Sequence, residues 1–140
     1  MGGSTYSDEH YTAATEARAK SATPTFRHTE KMHATPAHER KVHDRRNPFG
    51  VKMRESRDSD VNPVTLPIAI QLDETGSMSQ VPVTVQKELC KLFGLLVRQG
   101  WAKHPAVMVM ANGDARNPER EAAPLQVGQF ESGNEIEEDL

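Results

Sequence analysis

Three oxygen-bearing side chains stand at alternate positions just after the first strongly apolar run of the chain. They are the carboxylate of Asp73 and the hydroxyls of Thr75 and Ser77, and Gly76 between the hydroxyls permits a sharp bend of the backbone. A hard divalent cation such as Mg²⁺ prefers oxygen ligands and is often held by only one or two carboxylates together with waters. The oxygen ligands offered by Asp73, Thr75 and Ser77 therefore suit the coordination chemistry of Mg²⁺, with Mn²⁺ or Ca²⁺ as alternative ions.

Four secondary-structure elements are predicted around this segment. Residues 67–72 form a short apolar run typical of a strand buried on both faces, and residues 82–100 carry apolar side chains at helical steps of three and four. Residues 106–110, closed by a turn at 112–114, predict a second buried strand, and residues 124–130 predict a third, weaker one. The first three elements indicate a βαβ unit with parallel strands, and the third strand is expected to be antiparallel because no helix precedes it.

The order strand, helix, strand, strand predicts an α/β fold containing part of a Rossmann-like sheet. Ligands of such sheets bind outside the carboxyl ends of the parallel strands, where the first strand releases Asp73. One helix covers only one face of a sheet whose strands are expected to be buried on both. We therefore expect residues 64–140 to be the first part of a larger domain.

Residues 1–63 differ in composition from the rest of the chain. They contain no Leu and no Ile, and they hold eleven Lys and Arg against nine Asp and Glu, whereas residues 64–140 hold six against eleven. A segment with so few large apolar side chains cannot bury enough surface to offset its ordering entropy. The sequence predicts a polar, histidine-rich and mostly disordered tail at 1–63 and a folded unit at 64–140.

Composition narrows the class of protein. The chain has 140 residues, a mean hydropathy of −0.68 and no run near the roughly 18 apolar residues of a membrane helix, so we expect a soluble, intracellular protein without a membrane partner. The single cysteine, Cys90, cannot form an internal disulfide, and no disulfide-linked partner is expected. A net charge of −3 argues against nucleic acid as a partner.

The segment Ile-Ala-Ile-Gln-Leu-Asp-Glu-Thr-Gly-Ser-Met at residues 68–78 resembles the first strand and metal-ion-dependent adhesion site of von Willebrand factor type A domains. The motif of that site is Asp-x-Ser/Thr-Gly-Ser. The blocks at residues 54–60, 113–115 and 124–132 further resemble an uncharacterised family of type A-like proteins of bacteria and their phages. The resemblance covers roughly residues 41–140. Glu74 departs from it, since that position is usually small or apolar in the family.

This resemblance implies a Rossmann-like type A domain of which the chain is the N-terminal part. It implies a Mg²⁺ ion held by Asp73, Thr75 (through water) and Ser77, with an open coordination position for an acidic residue of a protein partner and no chemistry on that ligand. The type A site is completed by a Thr and an Asp from later loops, which would follow Leu140. The implied location is a bacterial cytoplasm, with the gene belonging to the bacterium or to a phage.

Two other functions fit the same residues. A metal-dependent hydrolase or phosphotransferase could use the oxygen ligands to polarise a phosphate, although Glu74 is the one general base in view. The second alternative is a structural or assembly protein of a phage particle, whose tail becomes ordered when it binds a partner. Asp-Glu-Thr-Gly-Ser alone would be an ordinary strand-to-helix loop, but the strand before it and the flanking blocks favour the metal site.

The remaining candidate residues favour structural roles. Ser77 lacks the Gly-x-Ser-x-Gly elbow of a nucleophile, and Cys90 lies beside the apolar stripe of the predicted helix. Four histidines recur every five residues, a spacing that gives them no common face on a helix or a strand: His28, His33, His38 and His43. We therefore predict neither nucleophilic catalysis nor a built histidine metal site.

Overall fold

A computed structural model describes residues 7–21, 31–32, 34–73, 80–113 and 125–133. These ranges contain a small mixed sheet of three strands with one helix packed on it, which is an α/β fold. No helix in these ranges has both the length and the apolar character needed to cross a bilayer. In chain order the elements are helix α1 (Asp8–Ser21), 3₁₀ helices at Ala37–Glu39 and Asp44–Arg46, strand β1 (Leu66–Asp73), helix α2 (Val81–Arg98), strand β2 (Pro105–Asn112) and strand β3 (Leu125–Val127).

The three strands lie in the order β1-β2-β3. β1 and β2 run parallel, with Leu66 opposite Pro105 at one end and Asp73 opposite Asn112 at the other. β3 runs antiparallel to β2, as the lack of a preceding helix pattern predicted. The pairing of β1 with β2 across α2 confirms the predicted βαβ unit. It also brings the carboxyl ends of both parallel strands to one edge of the sheet.

The third strand is shorter than residues 124–130 predicted, because regular pairing covers only Leu125–Val127. The chain nevertheless continues along β2. The Gly128 N–H donates to the Val109 carbonyl at 2.9 Å, and Val107 and Glu131 exchange backbone hydrogen bonds of 2.8 and 2.9 Å. β2 is therefore covered on this side over most of its length.

The core lies between α2 and one face of the sheet. Leu89 and Phe93, four residues apart on α2, are almost fully buried together with Val107 of β2. The side chains of Ile68, Ile70 and Val109 pack against this cluster. Burial of each large apolar side chain contributes roughly 1.5–3 kcal/mol. This face-to-face packing holds α2 across the parallel pair.

The prediction that β1 is buried on both faces is wrong. The side chains that face α2 are half-buried or buried from Ile68 to Leu72, whereas the alternate positions on the other face are exposed: Pro67, Ala69, Gln71 and Asp73. The run Ile-Ala-Ile-Gln-Leu-Asp alternates large apolar residues with small or polar ones, which is the pattern of a strand covered on one face. β2, by contrast, is buried on both faces over its first four residues.

Both ends of α2 follow from residue type. Pro82 lies in the first turn, where its missing N–H costs nothing. At the other end Gly100 has a φ of +69°, a conformation that disfavours residues with a side chain. Its N–H donates to the Val97 carbonyl at 3.1 Å, and the Ala102 N–H donates to the Leu96 carbonyl at 3.2 Å. The helix thus ends at Arg98, within two residues of the end of the predicted range 82–100.

Besides the two 3₁₀ helices, two further parts of the chain before β1 have defined structure. In α1 the Ser7 hydroxyl oxygen accepts a hydrogen bond from the His10 N–H at 3.5 Å, as an N-cap does. The second part is residues 54–65, here called the arm, which extends two residues past the predicted tail to the start of β1. Arg54 Nη2 donates to the Val127 carbonyl at 3.4 Å, and Asn62 Oδ1 lies 3.2 Å from Nδ1 of His104. The arm therefore joins both β3 and the loop before β2. The boundary near residue 63 and the disorder of the tail stay predictions.

Candidate functional site

The carboxyl edge of the parallel strands carries two polar side chains next to each other. Asp73 is the last residue of β1 and is exposed, and its register partner Asn112 is the last residue of β2 and is half-buried. Ligands of open α/β sheets bind at this kind of edge. The structure thus places the predicted ligand Asp73 where sequence reasoning expected it.

Asp73 and Asn112 belong to the same face of the sheet. Register partners in neighbouring strands project to the same side, and side chains alternate along each strand. Because Ile70 and Val109 pack toward α2, Asp73 and Asn112 project from the opposite face. Asn112 also pairs with Leu125 of β3. The edge row on this face therefore reads Asp73, Asn112, Leu125.

The other two predicted ligands, Thr75 and Ser77, lie outside the described residues, as does Glu74. The description resumes at Gln80, immediately before α2 begins at Val81. The connection from Asp73 to α2 therefore contains both hydroxyls by sequence. Their arrangement around an ion stays a prediction.

The donor atoms at the edge suit an oxygen-preferring divalent cation. Asp73 supplies carboxylate oxygens and Asn112 supplies an amide oxygen, both of the hard type that Mg²⁺ and Ca²⁺ prefer. Within the described ranges, no three His, Cys, Asp or Glu side chains come together as a metal site. The predicted ligand set, with one carboxylate and two hydroxyls, is of a different kind. The residues present at the edge therefore fit Mg²⁺ as the ion.

Sequence reasoning missed Asn112. It assigned residues 112–114 to a turn, whereas Asn112 is the last residue of β2, and Asp114 lies outside the described residues. The sequence nevertheless contained a pattern that indicates Asn112. A polar side chain that ends the second parallel strand must share an edge with the residue that ends the first.

A second polar cluster lies within the arm. Asp58 Oδ1 accepts hydrogen bonds from the Thr65 backbone N–H and from the Thr65 hydroxyl, both at 2.9 Å. The Ser56 hydroxyl in turn donates to Oγ1 of Thr65 at 2.6 Å. The bonds from Thr65 stabilise the ionised carboxylate and hold the pKa of Asp58 below its usual value. This cluster closes the arm just before β1 begins.

Among the remaining candidates, the structure describes the surroundings of two histidines. His28 and His33 lie outside the described residues. His43 Nδ1 accepts from the Arg45 N–H at 3.3 Å, and His38 Nε2 lies 3.4 Å from a carboxylate oxygen of Glu39. His38 and His43 thus have local partners. Cys90 lies in α2, and its side chain lies outside what the structure describes.

Comparison of the chain with protein-family models, with curated proteins and with solved structures finds no match. The resemblance to type A domains therefore stays a prediction from the motif and its flanking blocks.

Proposed function

We propose that this protein is a metal-ion-dependent protein-binding module of the von Willebrand factor type A kind. In this proposal a Mg²⁺ ion at the carboxyl edge of the Rossmann-like sheet captures an acidic residue of a protein partner, without chemistry on that residue. The observation that carries the proposal is the position of Asp73. Its exposed carboxylate ends a parallel strand and stands in register with Asn112, which ends the next one.

Charge explains why an ion is needed to hold an acidic partner. Residues 64–140 contain eleven Asp and Glu against six Lys and Arg, so the folded unit repels acidic surfaces at long range. Among the ligands in this proposal only Asp73 is charged, so the two positive charges of Mg²⁺ exceed the charge of its ligands by one. Long-range repulsion is screened beyond about 8 Å at physiological salt, whereas direct coordination is not. The ion can therefore select a carboxylate at contact.

Each residue of the site has a defined task in the proposal. Asp73 binds the ion directly. From the connection to α2, Ser77 supplies a hydroxyl oxygen and Thr75 holds a metal-bound water. Mg²⁺ keeps several waters in most protein sites, and one of these positions is open to the partner's carboxylate. We place the protein in a bacterial cytoplasm, as a bacterial or phage-encoded product.

Water-proton relaxation with Mn²⁺ tests the proposal. The full chain is loaded with Mn²⁺, and the probes are a short peptide with one Asp and the same peptide with Asn in its place. We expect the Asp peptide alone to lower the relaxation rate, because its carboxylate displaces a metal-bound water. We also expect Asp73→Asn to remove Mn²⁺ binding. Equal responses to both peptides, or equal Mn²⁺ binding by the wild type and Asp73→Asn, would overturn the proposal.

A further inference from the structure

We infer that Asn112 is a further ligand of the ion held at Asp73, through its side-chain amide oxygen. This inference rests on the proposed function and names a residue that the Asp73, Thr75 and Ser77 motif does not contain. Its basis is the register of the parallel pair, which places Asn112 directly opposite Asp73 at the same edge.

The spacing of the two residues suits a single ion between them. Neighbouring strands lie about 4.8 Å apart, and Asp and Asn side chains have the same length and here project from the same face. Two oxygens bound to one Mg²⁺, each at about 2.1 Å, lie no more than about 4.2 Å apart. Two parallel side chains of equal length at this strand spacing therefore need only a small inclination toward each other to share one ion.

Among the described residues around Asp73 on this face of the sheet, Asn112 is the best placed to be an additional ligand. Leu125, on its other side in the edge row, has no side-chain oxygen. Gln71 lies on the same face as Asp73 but two residues back along β1, about 7 Å from the edge. Asn112 is half-buried, whereas Asp73 is exposed.

A neutral amide also fits the proposed binding of a carboxylate. A second carboxylate next to Asp73 would cancel the remaining positive charge of the ion and weaken its attraction for the acidic partner. The amide oxygen of Asn112 adds a ligand without adding charge. The register thus sets a charged side chain, Asp73, beside a neutral one, Asn112, at the edge where the partner would bind.

Calorimetric titration of Mg²⁺ into the full chain, freed of metal by a chelator, tests this role. The variants are Asn112→Leu, which keeps the size but removes the oxygen, Asn112→Asp, which adds a charge, and Asp73→Asn. Gln71→Leu is the matched control, because it removes an amide from the same face away from the edge. We expect Asn112→Leu to weaken Mg²⁺ binding about 10-fold, Asn112→Asp to strengthen it, and Gln71→Leu to leave it unchanged.

The outcomes separate the role of Asn112 from the proposed function. If Asp73→Asn loses Mg²⁺ while Asn112→Leu binds it like the wild type, the role of Asn112 is overturned and the proposed function stands. If the wild type binds no Mg²⁺, both are overturned. Thermal unfolding in chelator shows whether each variant folds. If Asn112→Leu does not fold, the Mg²⁺ affinity of Asn112→Asp is the test instead. An affinity equal to that of the wild type would overturn the role of Asn112 as a ligand.

Discussion

Asn62 and His104 join the arm to the amino edge of the sheet, with 3.2 Å between Asn62 Oδ1 and His104 Nδ1. An amide oxygen only accepts hydrogen bonds, so the ring Nδ1 is the donor. Asn62 is only 4% exposed, and the Leu66 N–H donates to the His104 carbonyl at 2.8 Å. These contacts fix the starts of β1 and β2 relative to each other. The register that they help to set brings Asp73 opposite Asn112 at the far edge.

Substitution of Asn62 by Leu is expected to destabilise the protein by about 1–3 kcal/mol, because it leaves the His104 donor without its acceptor in a part-buried site. Urea unfolding of Asn62→Leu, His104→Ala and the double variant measures the loss of unfolding free energy in each and the coupling energy between the two side chains. We expect the double variant to lose less than the sum of the single losses. Strictly additive losses would contradict a direct interaction between the two side chains.

The Asp58 cluster is expected to respond to acid. Hydrogen bonds from Thr65 lower the folded pKa of Asp58, so their stabilisation is fully present above the unfolded pKa and is lost as pH falls through the lowered folded value. An NMR titration of the Asp58 side-chain carboxyl carbon should show a midpoint below that of an unfolded aspartate, about 3.9. Thr65→Val, which keeps the backbone N–H but removes the hydroxyl, should raise that midpoint partway. A midpoint unchanged by Thr65→Val would contradict the hydroxyl's role.

Phe93→Ala should be the most damaging substitution in α2. Phe93 is 1% exposed at the centre of the core cluster, and replacement of a buried Phe by Ala costs about 3–5 kcal/mol. Leu95→Ala, two residues away on the same helix, is the matched control because Leu95 is 42% exposed. Chemical unfolding monitored by circular dichroism should show a loss of at least about 3 kcal/mol, or no folded state, for Phe93→Ala alone. Similar losses for both variants would contradict the packing of α2 on its Phe93 face.

Ser132→Ala is expected to preserve or raise stability. The Ser132 hydroxyl is buried and has no hydrogen-bond partner among the described residues, so its desolvation is not offset. Removal of the hydroxyl should raise the free energy of unfolding in urea by no more than about 3 kcal/mol. A loss of stability would show instead that this oxygen contributes a hydrogen bond to the fold.

The sheet could be predicted from local patterns because its elements repeat at the period of a strand or a helix. The apolar runs at 67–72 and 106–110 are β1 and β2, and the helical spacing before Gly100 is α2. The burial of β1 was overestimated because the run counted as continuously apolar, whereas its alternate positions Ala69, Gln71 and Asp73 are exposed. Apolar character alone does not separate one-sided from two-sided burial.

The contacts of the arm could not be predicted in this way. Arg54 and Val127 are 73 positions apart, and Asn62 and His104 are 42 apart, so no local period connects them. Asp73 was predicted from its place after a strand. Asn112 was missed because an Asn-Gly pair is also typical of a turn, and only the register of β2 distinguishes the two.

Thermal unfolding of the full chain in Mg²⁺ tests the central claim, a metal ion held by Asp73, most directly. Wild type and Asp73→Ala are compared in chelator, in MgCl₂ and in NaCl of equal ionic strength. An ion that binds only the folded state adds about 2.7 kcal/mol of stability at a concentration one hundred times its Kd. We predict that MgCl₂ raises the unfolding midpoint of the wild type and that NaCl does not. The midpoint of Asp73→Ala should be the same in MgCl₂ as in NaCl. Equal responses of the two proteins to MgCl₂ would contradict a metal site at Asp73.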